Sequence, residues 1–122
     1  MDAKQHLYYA LGIMAYAVAK ADGKVQNEER QMIHKIVVEK SGHEIDFDYA
    51  EIIFSILQKE KQGASEVYQW AMNAFNLGKH HLTPEMKKQF IAVIKQIAEA
   101  YPPKTIEEIK WIDKISRNIW LL

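Results

Sequence analysis

"LYYALGIMAYAVA", Leu7–Ala19, decides the fold of this chain. All thirteen residues are glycine or apolar. A helix built from them has no polar face, so it must be covered on every side. The run is shorter than the ~20 residues needed to span a bilayer. Before it stand Asp2 and a single Lys4, without the basic start and small-residue cleavage site of a secretory signal. The expectation is a buried central helix, from about Asp2 to Ala21, wrapped by the rest of the chain.

The remainder reads as amphipathic helices, and no segment alternates apolar and polar residues long enough for a strand. A second helix begins near Asn27, carries Met32, Ile33, Ile36 and Val37, and stops at Ser41-Gly42. A third is capped by Asp46 and presents Ala50, Ile53, Phe54 and Leu57. A fourth follows Gly63 with Ser65 as its cap, and Val67, Trp70, Ala71, Ala74 and Phe75 recur at helical spacing. Thr83-Pro84-Glu85 places cap, first-turn proline and first-turn acid in order for a fifth. That helix buries Met86, Phe90, Val93, Ile94, Ile97 and Tyr101, and Pro102-Pro103 stops it. Thr105-Ile106-Glu107-Glu108 opens the last helix as a capping box. Ile109, Ile112, Ile115 and Ile119 line that helix, which ends in Trp120-Leu121-Leu122. These apolar end residues are expected to pack on their own domain or on a second copy, which makes a homodimer one of the open states. The fold class is all-α: a compact bundle of about six to seven helices in one domain, residues 1–122.

A shift of 79 residues aligns 18–36 with 97–115 without a gap. Ala19, Ala21, Glu28, Glu29, Ile33, Lys35 and Ile36 fall on Ala98, Ala100, Glu107, Glu108, Ile112, Lys114 and Ile115. The repeat implies two helical hairpins related by an approximate twofold. Single-copy repeats of this kind do not make a solenoid.

Composition removes several functions. The chain has 122 residues, 48% of them apolar, and no cysteine. Disulfides, thiolate metal sites and cysteine nucleophiles are therefore excluded, and the absence suits a reducing compartment. Sixteen bases balance sixteen acids, so general attraction to nucleic acid is weak. No phosphate loop, nucleophile elbow or dinucleotide fingerprint occurs. His6, His34, His43, His80 and His81 form no recognised ligand spacing. Glu44, Asp46, Asp48 and Glu51 form an acidic stretch, read either as a solvated helix start or as a docking patch for a basic partner.

The loop after the central helix carries the one candidate site. Asp22 is followed by Gly23 and, seven positions after Asp22, by Glu29. An EF-hand is excluded, because its loop needs three spaced acids before the glycine and a later glutamate. Two carboxylates with loop carbonyls suit a weakly held Ca²⁺ or Mg²⁺, although a helix N-terminus disfavours cations. The other reading makes Asp22 a turn former and Glu29 a cap partner. Both readings stay open from the residues.

Ala19, Ala21, Asp22, Gly23, Glu29 and Ile33 resemble the signature of the TerB-like, tellurite-resistance family. The resemblance covers nearly the whole chain. It implies a helical domain with pseudo-twofold hairpins and acidic residues suspected of chelating a metal, here Asp22 and Glu29. Where many relatives repeat an Asp-Gly turn in the second hairpin, this chain has Tyr101-Pro102, leaving only Glu107 and Glu108 there. With the resemblance, the leading expectation is a cytoplasmic, non-enzymatic TerB-like stress module that binds partner proteins and a divalent cation; the charge balance argues against a nucleic-acid partner and the short apolar run against a membrane span. A purely structural interaction domain and a small hydrolase are the competing classes.

Overall fold

A computed structural model describes residues 2–21, 23–40, 46–101 and 105–122. It contains six α-helices: α1 (Ala3–Lys20), α2 (Asn27–Lys40), α3 (Phe47–Glu60), α4 (Ala64–Gly78), α5 (Pro84–Glu99) and α6 (Ile106–Trp120). A short 3-10 turn, Lys79–His81, links α4 to α5. No strand occurs among the described residues.

The central position expected of the apolar helix is observed. From Leu7 to Ala19 every residue of α1 except Tyr9 is buried. Helices α4, α3, α5 and α6 all pack against it. Its start is set by a complete capping box: the Asp2 carboxylate accepts from Gln5 N at 2.8 Å, and Gln5 Oε1 accepts from Asp2 N at 3.0 Å. Small residues let the neighbours close in. At Gly12 an added Cβ would clash with the Ala50 carbonyl and the Ile53 side chain, and would lie 2.7 Å from Ala50 Cα. Large residues fill the remaining space. Tyr8 sits 4.9 Å from Phe47 and 5.3 Å from Phe90, ring centre to ring centre, and Tyr16 lies 5.7 Å from Phe54. The buried Tyr16 hydroxyl donates to Gln62 O at 2.6 Å, and burial pushes its pKa above the ordinary tyrosine value.

Several expected details are corrected. Asp46 makes no cap hydrogen bond; its carboxylate instead lies 3.5 Å from Lys4 Nζ. Gly63, not Ser65, is the N-cap of α4. Trp70 is exposed, and Tyr68 takes the inner position. Tyr68 faces α6, where it meets the Trp111 ring edge-on and the Asn118 amide; contact with both α1 and α6 rotates the buried stripe of α4. For a similar reason α6 buries Glu108, Ile112, Ile115 and Ile119 and leaves Ile109 outside. Tyr101 is exposed, as are Trp120 and Leu121; of the last three residues only Leu122 packs on the core. The expected stops at Ser41-Gly42 and Pro102-Pro103 lie outside the described residues.

All seven identities of the internal repeat share a burial class with their counterparts. Packing agrees only in part. Helix α2 lies on α5, and α6 lies on α1, as a twofold exchange requires. Yet α5 also packs along α6, whereas α1 makes no comparable contact with α2 among the described residues. The twofold therefore stands as an expectation, not as a property of the observed packing.

Gly12→Ala tests the close approach of α1 and α3. In an open helix this change stabilises by ~0.5–1 kcal/mol. Here overpacking reverses the sign, and a net loss of ~1–3 kcal/mol is expected. Chemical denaturation reads it, and a gain in stability would rule out the tight crossing.

Candidate functional site

The candidate site is the turn from α1 into α2. After Lys20 the backbone turns through Ala21 N to Val18 O at 3.3 Å and Gly23 N to Lys20 O at 2.8 Å. Gly23 takes φ +103°, a left-handed value that costs a side-chain-bearing residue strain. Val25 then returns to the core, and α2 begins at Asn27. Asp22 lies outside the described residues.

Glu29 occupies the third position of α2 and is 1% exposed. Its Oε1 accepts from Gln26 N at 2.8 Å. This is the backward half of a capping box, in which the glutamate satisfies an N–H that the helix leaves open. Glu108 holds the same step of α6 and is 2% exposed. There the forward half dominates: Thr105 Oγ1 accepts from Glu108 N at 3.1 Å, and the hydroxyl also lies 3.4 Å from Glu108 Oε1. Glu29 and Glu108 are the buried charged residues among those described. Their neighbours Glu28 and Glu107 point to solvent. Capping thus accounts for one oxygen of Glu29. A carboxylate oxygen is the hard donor type that Ca²⁺ or Mg²⁺ takes, but among the described residues no group of three or more acidic or histidine side chains gathers that could hold a metal ion.

A profile for the family described as tellurite resistance protein TerB matches residues 9–120. The chain belongs to the TerB family. Its description names a resistance protein and no reaction. Neither a curated protein nor a solved structure matches the chain. Among the described residues of this TerB chain, no helix is long and apolar enough to cross a membrane.

The described members of the acidic stretch 44–51 do not form one patch. Glu44 lies outside the described residues, Asp46 faces Lys4, Asp48 is exposed, and Glu51 turns toward α2. Glu51 anchors a polar cluster that the sequence reading missed. Its Oε2 accepts from Arg30 Nη1 at 2.9 Å and lies 2.8 Å from His34 Nδ1, while Arg30 Nη2 donates to Ser55 Oγ at 2.8 Å. The available signal was spacing: Arg30 and His34, and Glu51 and Ser55, are each four apart, so each pair shares a helix face. A second cluster joins α4 to α6, with Lys114 Nζ 4.3 Å from the Tyr68 ring centre and 5.4 Å from that of Trp111. His80 and His81 stack edge-on at 4.8 Å in the 3-10 turn.

Burial alone pushes the Glu51 carboxyl up. Hydrogen bonds and charge from Arg30 and His34 outweigh it and hold the pKa below the ordinary carboxylate value. A depressed folded pKa adds stability that is complete above the unfolded value, ~4.3, and is lost as pH falls through the lower folded value. Arg30→Leu should therefore lower the melting midpoint at neutral pH and flatten its decline on acidification. A melting profile against pH that stays parallel to wild type would show that the cluster contributes nothing.

Thr105→Ala should cost ~1 kcal/mol, the usual loss for an N-cap oxygen. At Gln26 the corresponding change, Gln26→Thr, should stabilise α2, because the Glu29 half of the box is already in place. Unchanged midpoints in thermal melts of both variants would contradict the cap assignments.

Proposed function

We propose that this TerB chain is a cytoplasmic, non-enzymatic module of tellurite and stress resistance. It binds partner proteins, and it takes a divalent cation at the α1–α2 loop through Asp22 and Glu29. The observation that carries the cation reading is the burial of Glu29, 1% exposed, directly after the Asp-Gly loop. Turning the chain does not by itself require an acid at 22, since the equivalent step of the second hairpin is Tyr101-Pro102. The cation is Ca²⁺ or Mg²⁺, held by the two carboxylates, main-chain oxygens and water. Two carboxylates opposed by the helix dipole give weak affinity, on the order of 10⁻⁴–10⁻³ M.

A second reading, a purely structural interaction domain, is favoured by the hydrogen bond from Gln26 N to Glu29 Oε1. In that reading the buried acid serves the helix start alone. The two readings differ in one measurement. Ligand that binds only the folded chain raises its melting midpoint. Asp22→Asn keeps the turn, because asparagine makes the same local hydrogen bond, but it removes a charge. With millimolar Ca²⁺, Mg²⁺ or Mn²⁺ the wild-type midpoint should rise and that of Asp22→Asn should rise less. Equal shifts, or none with any of the three ions, leave the structural reading in place.

A further inference from the structure

Helices α3 and α5 carry exposed edges of matched length and inverted charge. On α3 the edge runs Asp48, Ile52, Ile56, Lys59; on α5 it runs Lys88, Ala92, Lys95, Glu99. In both, the last residue follows the first by eleven positions, ~16 Å along a helix. Along the chain the α3 edge goes from acid to base and the α5 edge from base to acid. Ile52 is 56% exposed and Ile56 46%, two branched aliphatic side chains in water. Beside α5, helix α6 supplies Trp120, which is 45% exposed. Lys88, Ile91, Ala92, Lys95 and Trp120 line a recess of about 210 Å³. A second recess of about 250 Å³ carries it on past Lys95 to Glu99, Ile109 and Ile112. The groove between α5 and α6 thus has an apolar stretch at Ile91, Ala92 and Trp120, with Lys88 at one end, Lys95 across its middle, and Glu99 and Asp113 at the other end.

We propose that α3 of one molecule docks in the α5–α6 groove of a second copy, parallel to its α5. In that register Asp48 meets Lys88, Ile52 enters the recess over Ala92 beside Trp120, Ile56 lies along the aliphatic stem of Lys95, and Lys59 reaches the acidic end that Asp113 shares with Glu99. The two edges do not meet within one molecule, because α3 packs on α1 and α2. The net charge of the chain is zero, so copies approach without long-range repulsion. The contact joins two different surfaces, which makes it heterologous: each copy keeps one edge free, and assembly proceeds to rings or short chains. One helix edge in one groove is a small contact beside the ~800 Å² per partner of a standard interface. Association is therefore weak, and added salt weakens it further by screening the end pairs.

Sedimentation velocity of the 122-residue protein at rising concentration tests the proposal. The average sedimentation coefficient should climb with concentration at low salt and less so at high salt. Asp48→Lys and Lys88→Glu should each suppress the climb, and the two changes in one chain should restore it. A merely structural role for either residue would not produce that restoration. Thermal melts check that the variants are folded, which their exposed positions favour. The absence of cysteine permits a second measurement. Chains carrying Ile52→Cys are mixed with chains carrying Ala92→Cys and oxidised, and a 52–92 disulfide should outrun the pairing of Ile52→Cys with Leu77→Cys, an exposed control on α4. A chain that stays monomeric at every concentration overturns the proposal. So does association indifferent to both charge reversals, or a 52–52 disulfide that forms faster than 52–92.

Discussion

The structure depends on covering one helix on nearly every side. Because α1 has no polar face from Leu7 to Ala19, each neighbour has to present an apolar stripe to it. The crossing at Gly12 brings α3 to backbone contact, while Tyr8 and Tyr16 reach outward to Phe47, Phe90 and Phe54. Tyr16 also ties the core to the end of α3 through Gln62 O. A cover assembled from four separate helices leaves little cost-free variation in α1, since a change on any of its sides meets a different neighbour.

Against that apolar background the two buried glutamates stand out. Glu29 and Glu108 open α2 and α6, the helices that the internal repeat aligns. Each stands where its carboxylate can accept main-chain hydrogen, and burial without such partners is expensive. The local logic of a helix start therefore explains why an acid is tolerated there. The family assignment adds a reason to ask whether the first of these acids, next to Asp22, also serves a cation. The second hairpin offers the natural comparison, because it has the glutamate and lacks the Asp-Gly turn.

Much of this was legible in the sequence because it depends on local rules. The uninterrupted apolar run identified the buried helix, and Thr83 and Thr105 marked their helix starts correctly, each hydroxyl accepting from the third residue onward. What local rules missed was set by tertiary contact. Periodicity cannot tell Tyr68 from Trp70 when a helix touches two neighbours at once. Capping propensity cannot foresee that Asp46 will turn to Lys4, forty-two positions earlier in the chain. The Arg30–Glu51–His34 cluster spans two helices, so no single-helix pattern displays it. At the candidate site the sequence indicated a capping role for Glu29 but not its depth, because exposure depends on how α2 packs on its neighbours.

The burial of α1 from Leu7 to Ala19, with Tyr9 alone half-exposed, also has a consequence for synthesis. The chain grows from α1 toward α6, so the helix that most needs cover is made first of the six. Its covering surfaces arrive with α3, α4, α5 and α6, the first of which is complete only at Glu60. At ~5–20 residues per second, the ~80 residues between the end of α1 and the end of α5 take about 4–16 s. Throughout that interval thirteen glycine and apolar residues have only partial shelter, and the nascent chain is a natural client for factors that hold hydrophobic segments at the ribosome.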